Sequence, residues 1–480
     1  MSKQSKLTLI DRVPDQDHVV FLGSKYDMMH SKLYSRIDIE QKTWQKIIAK
    51  INPGLHGTVH NIWIGEKECA FAILPKHQSR DNSPAKTWPI PNLLSSLQNK
   101  KTGSIIAVIE KRHREATAMA IAKAFPTFSI KQKIIQKEFF LEISDDPIEN
   151  YKLQVLVNAV QFAANLFDRP PNILRVSNFV QEAKDIAQRT KANIKIWDKQ
   201  QLIQDGFGGI IGVGKASDDG PAFVVLHHKP EKPSHSIAWV GKGIVYDTGG
   251  LSIKTKTGMP AMKGDMGGAG AVLAAFEAAV LLNVPYELYA ILCLAENSVG
   301  PQSTRPDDVL TMLSGKTVEV NNTDAEGRLV MADGVYWASK VAGCNTIFDI
   351  ATLTGAAPMS VGSNFAALYC NDADLEKYAV QAGKVIGELC HPLPYTPEFY
   401  IQEFYSAIAD MKNSVKNRSN AQSACAGEFV GRHLFGNPYW LHIDIAGPAW
   451  GAQKRGTGFG VGLLLKTTEM WAQYQEEISK

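Results

Sequence analysis

Cysteine is scarce in this chain of 480 residues. The six present, Cys69, Cys293, Cys344, Cys370, Cys390 and Cys425, never form a Cys-x-x-Cys pair. That excludes a zinc ribbon or a disulfide framework and suits buried thiols in a reducing cytosol. Histidine is no better organised: none of the twelve stands in a His-Glu-x-x-His pair, which removes the helix-borne zinc site. The neighbours His227 and His228 close a strand-like run and read as an edge or turn feature. Long apolar runs are missing too. The best of them, residues 269–282, is interrupted by Glu277, so no bilayer-spanning helix is expected. Residues 1–11 hold too short an apolar stretch for a signal peptide. Excess charge is also absent, and 51 basic against 48 acidic residues argue against a dedicated binder of nucleic acid. The expectation is a cytoplasmic protein that does not enter membranes.

What is present is 45% hydrophobic residues over a length that accommodates two or three domains. Strand patterns at 7–13, 19–22, 58–64, 69–74 and 104–109, with a helical pattern at 114–124, predict a small α/β unit. The basic runs Lys100-Lys101 and Lys111-Arg112-His113-Arg114 read as solvated faces. An acidic punctuation at Ser144-Asp145-Asp146-Pro147, followed by a long helical periodicity over 151–167 that stops before Pro170-Pro171, places a boundary near residue 150. Beyond it, helical patterns at 176–189, 268–282, 329–341, 374–387, 421–434 and 461–474 alternate with strand patterns at 194–197, 222–226, 237–240, 286–295, 346–350, 366–369 and 439–444. Such alternation predicts an α/β fold with a largely parallel sheet covered by helices on both faces.

Two stretches carry the chemistry. In Asn321-Asn322-Thr323-Asp324-Ala325-Glu326-Gly327-Arg328, two acids two positions apart in an extended segment point the same way, so Asp324 and Glu326 can converge on one cation. Without a cation the like charges repel and one carboxyl tends to keep its proton. The same residues also suit a helix start, with Asp324 as the cap and Glu326 in the first turn. The second stretch is a strand, 236–240, ending in Gly241-Lys242-Gly243; then come Asp247-Thr248-Gly249-Gly250, Lys254, and Met262-Lys263-Gly264-Asp265. Acids and lysines among glycines suit a loop folded around something small. Both acidic loops follow strands, after Val240 and after Val320, where open sheets bind ligands.

The loop from Asn322 to Leu329, and the spacing of Gly241 to Lys254 with Asp265 behind it, resemble the leucyl aminopeptidase family of dinuclear metallopeptidases. The resemblance runs from about Ala164 to the end of the chain. It implies a mixed, largely parallel sheet flanked by helices in a catalytic domain at 151–480. A smaller, variable α/β domain at 1–150 would help assembly or shape access. The implied activity is metal-dependent removal of N-terminal residues from peptides, leucine or another aliphatic residue preferred, by a cytoplasmic homohexamer. Two divalent ions (Mn, Zn or Mg) are implied, bridged by Asp247 and Glu326, with Asp324 completing one site and Lys242 and Asp265 the other. Lys254 would stabilise an oxyanion, and Arg328 would hold a bicarbonate acting as general base. Met262, Thr352, Thr354 and Gly355 match the pocket for the first side chain. His442 and Asp444 read as a structural pair on a buried strand.

Thr248 stands where many members carry serine, and Asn321 where many carry an apolar residue, which marks a subfamily with altered substrate preference. Two other readings stay open: a dipeptidase of the cysteinyl-glycine type, and a DNA-binding accessory role known among relatives.

Overall fold

Short runs of β-branched and aromatic residues pair into three sheets in the computed structural model, which describes residues 5–132, 135–417 and 419–479. The chain divides into two units. One comprises Met1–Phe162 with Gly383–Leu389, the other Ala163–Ala382 with Cys390–Lys480. The boundary expected near residue 150 falls within the helix Pro147–Asp168, and the division crosses that same helix.

The first unit holds strands β1 (Ser5–Leu9), β2 (His18–Gly23), β3 (Thr58–Ile64), β4 (Lys67–Ile73), β5 (Thr102–Val108) and β6 (Lys137–Glu142), in the order β1-β6-β5-β2-β4-β3. Every neighbouring pair is parallel except β3 with β4. Phe21, Trp44 and Phe71 meet with ring centroids 5.2 to 5.6 Å apart. Trp44 comes from the helix Gln41–Lys50, and its indole N–H donates to the Met28 carbonyl at 2.6 Å, so the buried polar atom is satisfied. That helix and β6 are absent from the sequence reading. The helix buries only Trp44 and Ile48, and the strand Lys-Glu-Phe-Phe-Leu-Glu is half charged, so neither shows a sustained period.

The second unit adds β7 (Asn193–Trp197), β8 (Ala222–His228), β9 (Ser236–Asp247), β10 (Glu287–Asn297), β11 (Val309–Thr311), β12 (Thr317–Glu319), β13 (Thr346–Ala351), β14 (Ala366–Cys370), β15 (Cys390–Pro392), β16 (Met411–Lys412) and β17 (Tyr439–Asp444). Eight of them form one sheet, β15-β14-β17-β13-β9-β10-β8-β7, whose middle four strands are parallel. The sheet is therefore mixed and parallel-rich, as the alternation implies. His227 and His228 end β8, one strand in from the edge, and His227 bonds Glu287 at 2.8 Å. Helices Glu326–Tyr336 and Gln422–Gly431 share a core with Ala238, Val240, Ile291 and Ile347 on one face. On the other face the Trp239 indole donates to Thr468 of the helix Val461–Ile478 at 3.0 Å. Among the described residues, no helix is long and apolar enough to cross a membrane.

Two local expectations change. Strand β9 does not stop at Val240 but runs through Gly241-Lys242-Gly243 to Asp247. Those glycines serve close approach rather than a turn: a Cβ at Gly241 would lie 2.6 Å from Ala269 Cα, and one at Gly268, in the facing helix, 2.1 Å from the Ile350 carbonyl oxygen. The loop after Val320 leaves a separate three-stranded sheet, β11-β12-β16, not the main one.

The helix Glu326–Tyr336, which starts at that loop, is anchored by Asp333. Its fully buried carboxylate accepts from the backbone N–H groups of Ile210 at 3.0 Å and Leu313 at 2.9 Å. Burial raises this carboxyl to about 7, against the backbone donors Leu313, Ile210 and Gly209. Asp333→Ala strands those donors, and we expect a loss of about 2–4 kcal/mol in urea unfolding. A loss below about 0.5 kcal/mol, the size of an ordinary surface change, would show that Asp333 is no anchor.

Candidate metal centre

Four separate segments deliver the charged groups. Lys242 and Asp247 lie on β9, and Asp265 follows the short turn Met262–Gly264. Asp324 sits in the turn after β12, and Glu326 is the first residue of its helix. One oxygen each from Asp247, Asp265 and Glu326 lie within 4.8 Å of one another, and all three residues are buried. The segment Asp324–Glu326 is not extended, so alternation does not aim both acids at one point. Glu326 faces Lys242 at 2.9 Å, whereas Asp324 faces Lys254 at 2.6 Å. The helix-start reading is half met: Glu326 is in the first turn, but the capping position belongs to Ala325 without a side-chain bond.

Two ammonium groups hold the cluster together. Lys242 Nζ donates to Asp265 at 2.8 Å and to the Thr352 carbonyl at 3.0 Å; Lys254 Nζ lies 2.7 Å from Asp247. Burial works against both charges, yet the carboxylates outweigh it and raise both lysine pKa values. Four carboxylates against two ammonium groups leave a formal charge of −2. Burial, reinforced by Glu326 and opposed by the two lysines, raises the Asp247 carboxyl; burial, opposed by Lys242 and reinforced by Glu326 and Asp247, raises that of Asp265; burial and then Asp247, opposed by Lys254, raise Asp324. Asp265 Oδ2 and Glu326 Oε2 are buried without a hydrogen-bond partner. Unpartnered carboxylate oxygens in a cluster short of positive charge fit divalent cations with oxygen ligands.

A cavity of about 620 Å³ opens on this cluster, and all eleven residues singled out from the sequence line it, including Met262, Thr352, Thr354 and Gly355. Arg328 is buried, donates to the Asn413 carbonyl at 3.0 Å, and has no carboxylate within ion-pair distance among the described residues. Burial pushes its guanidinium down to about 10. A buried guanidinium with one neutral acceptor, facing a cavity, fits a small anion.

Residues 161–465 match the catalytic domain of the cytosol aminopeptidase family. The chain belongs to that family. It is 45% identical to the probable aminopeptidase NPEPL1 of Homo sapiens over 477 residues, covering 95% of this chain and 90% of the relative. It is 41% identical to leucine aminopeptidase 1 of Caenorhabditis elegans, covering 88% and 87%. The solved structure of the Caenorhabditis elegans leucine aminopeptidase superposes with a TM-score of 0.90 at 36% identity, over 98% of both chains. This family member is thus an aminopeptidase, a hydrolase of the metallopeptidase class.

Several supporting residues of this aminopeptidase escaped the sequence reading. Asn297 donates to Asp247 at 2.8 Å and to the Thr323 carbonyl at 3.1 Å. Asn413 accepts from the backbone of Asn321 at 2.9 Å and Asn322 at 3.3 Å, and donates to the carbonyls of Asn322 at 2.7 Å and Ala325 at 3.3 Å. Only a buried asparagine far along the chain marks it, and that is too common a feature to notice. Asn321 exchanges hydrogen bonds with the Ser414 backbone, 3.2 Å and 2.9 Å, which explains a polar residue there. Thr248 caps its own turn, accepting from Gly250 N at 3.1 Å and donating to the Asn297 carbonyl at 2.7 Å. His442 and Asp444 do not pair. His442 bonds Asp349, which also takes the Trp440 indole N–H at 2.7 Å; Asp444 accepts from Thr354 N at 3.1 Å and Thr354 Oγ1 at 2.7 Å, holding the cavity wall. They differ because strand neighbours two apart share a face but each finds its own partner.

Asn413→Ala removes four hydrogen bonds from the loop that carries Asp324. We expect kcat/KM for an aminoacyl anilide to fall by about tenfold or more, because small displacements of a reacting group cost that much. Unchanged turnover would mean that the loop holds its shape without Asn413.

Proposed function

We propose that this chain removes N-terminal amino acids, leucine or another aliphatic residue preferred, with two divalent cations held by Lys242, Asp247, Asp265, Asp324 and Glu326. The observation that carries the reading is the buried trio Asp247, Asp265 and Glu326, with oxygens within 4.8 Å and two carboxylate oxygens of the cluster unpartnered. When bound, such cations (Mn, Zn or Mg) polarise a scissile carbonyl and acidify water. Asp247, Glu326 and Asp324 would hold one cation, and Asp247, Glu326, Lys242 and Asp265 the other. Lys242 must shed its proton to serve as a ligand, so loading depends on pH.

Lys254 keeps its proton because Asp247 and Asp324 flank it. That charge is placed to stabilise the oxyanion of a tetrahedral intermediate. Arg328 is assigned to hold a bicarbonate, which would take a proton from water. Met262, Thr352, Thr354 and Gly355 would receive the first side chain. The family resemblance supports a cytoplasmic homohexamer in which residues 1–150 help assembly or access.

The experiment is turnover of a panel of aminoacyl anilides and dipeptides before and after chelation, each metal restored in turn. Leucine or methionine substrates should lead; a panel on which only cysteinyl-glycine is cleaved would favour the dipeptidase. Lys242→Met should lower metal content from two ions per chain to one by elemental analysis, and two intact ions would reject the ligand assignment. Lys254→Ala should lower kcat by about 10²–10³-fold with little change in KM, as for loss of one oxyanion donor. A fall in kcat/KM that came from KM alone, with kcat unchanged, would reassign it to binding.

A further inference from the structure

The unit Met1–Phe162 contains a cavity of about 750 Å³ that shares no lining residue with the metal centre. It opens at the carboxyl ends of β2 and β4, whose last residues Gly23 and Ile73 are paired. Strand β2 is where the chain reverses: β3 and β4 lie to one side of it, β5 and β6 to the other. In parallel sheets the crevice outside the strand ends at such a reversal is where ligands bind. Its size suits a small molecule.

The lining is basic. Lys25 follows β2, Lys76 and His77 follow β4, and Lys86 reaches back to donate to the Lys76 carbonyl at 3.1 Å; no acidic side chain lines the cavity among the described residues. Lys25 is engaged by the carbonyls of Ala49 at 2.7 Å and Ile51 at 2.8 Å. Lys76 and Lys86 have no carboxylate partner among the described residues. Beside them, after β5, comes the basic turn Lys111–His113. Burial first, then the charge of Arg112 and to a lesser degree that of Lys86, hold the His113 imidazole below its ordinary pKa against the opposing charge of Glu110. The remaining wall is mainly apolar, with Met29, Pro53, Leu74, Pro75 and Tyr26 beside the neutral polar groups of Ser24 and Asn52. Tyr26 is 72% exposed, with its ring 4.4 Å from that of His30. An exposed aromatic face next to unpaired amines offers a flat ring something to stack on and a phosphate something to pair with.

We propose that this cavity binds a small organic phosphate bearing a flat ring, with the phosphate on Lys76 and Lys86 and the ring against Tyr26. The test is calorimetric titration of the metal-loaded, full-length protein with AMP, adenosine and inorganic phosphate. AMP should bind at one site per chain, about tenfold or more tighter than either fragment, the effect of one or two charge-assisted hydrogen bonds. The double variant Lys76→Glu, Lys86→Glu should lose AMP binding by a similar factor while anilide turnover stays within about twofold, as for surface changes remote from chemistry. Tyr26→Ala should weaken AMP and leave phosphate unchanged. No saturable heat with AMP, equal affinity for AMP and phosphate, or AMP binding that survives the double charge reversal, as it would if the metals held the nucleotide, each overturns the proposal. So does binding of a single-stranded oligonucleotide without binding of AMP.

Discussion

Everything at the catalytic end of this protein depends on keeping four carboxylates ionised next to one another, three of them out of water. Buried like charges are tolerated only when opposite charge is brought within a few ångströms. Lys242 and Lys254 supply part of it, each reaching two carboxylates between 2.6 and 2.9 Å. The balance still falls two positive charges short, and the unpartnered oxygens of Asp265 and Glu326 show where the shortfall lies. A cluster left in that state attracts cations by electrostatics alone. The Lys242 amine neutralises two of its carboxylates, Asp265 and Glu326.

The fold is arranged around delivering that cluster. A twelve-residue strand carries Lys242 and Asp247 into the site, and the bare backbone at Gly241 lets the helix Gly267–Leu281 pack almost onto it. Gly327 is needed for the same reason: a Cβ there would stand 2.5 Å from Lys242 Cε. Glu326 is positioned by a helix that Asp333 fastens towards its C-terminal end, and Asp324 by a loop that Asn413 grips from a distant part of the chain. The supporting residues are hydrogen-bonded groups that fix backbone, so each ligand candidate reaches the cavity with little freedom.

The likeness to relatives spans 95% of the chain, yet the sequence carried recognisable chemistry only from about residue 164. The first unit is a largely parallel sheet with ordinary patterning, so periodicity alone could identify strands but not purpose. Its weak points were elements with little contrast. The helix Gln41–Lys50 contributes one tryptophan and one isoleucine to the core, and β6 alternates too poorly to announce itself.

Local residue chemistry determined the strand and helix alternation and marked the two acidic, glycine-rich loops, while the family resemblance named the eleven residues that line one cavity. The alternation and the loops are properties of short stretches: period, charge and glycine content. Tertiary structure alone decided that β9 continues through its glycines, that Asp324 and Glu326 face different lysines, and that His442 bonds Asp349 rather than Asp444. Each of these turns on a partner many residues away, brought near by packing, and a distance of that kind leaves no trace in the order of the amino acids.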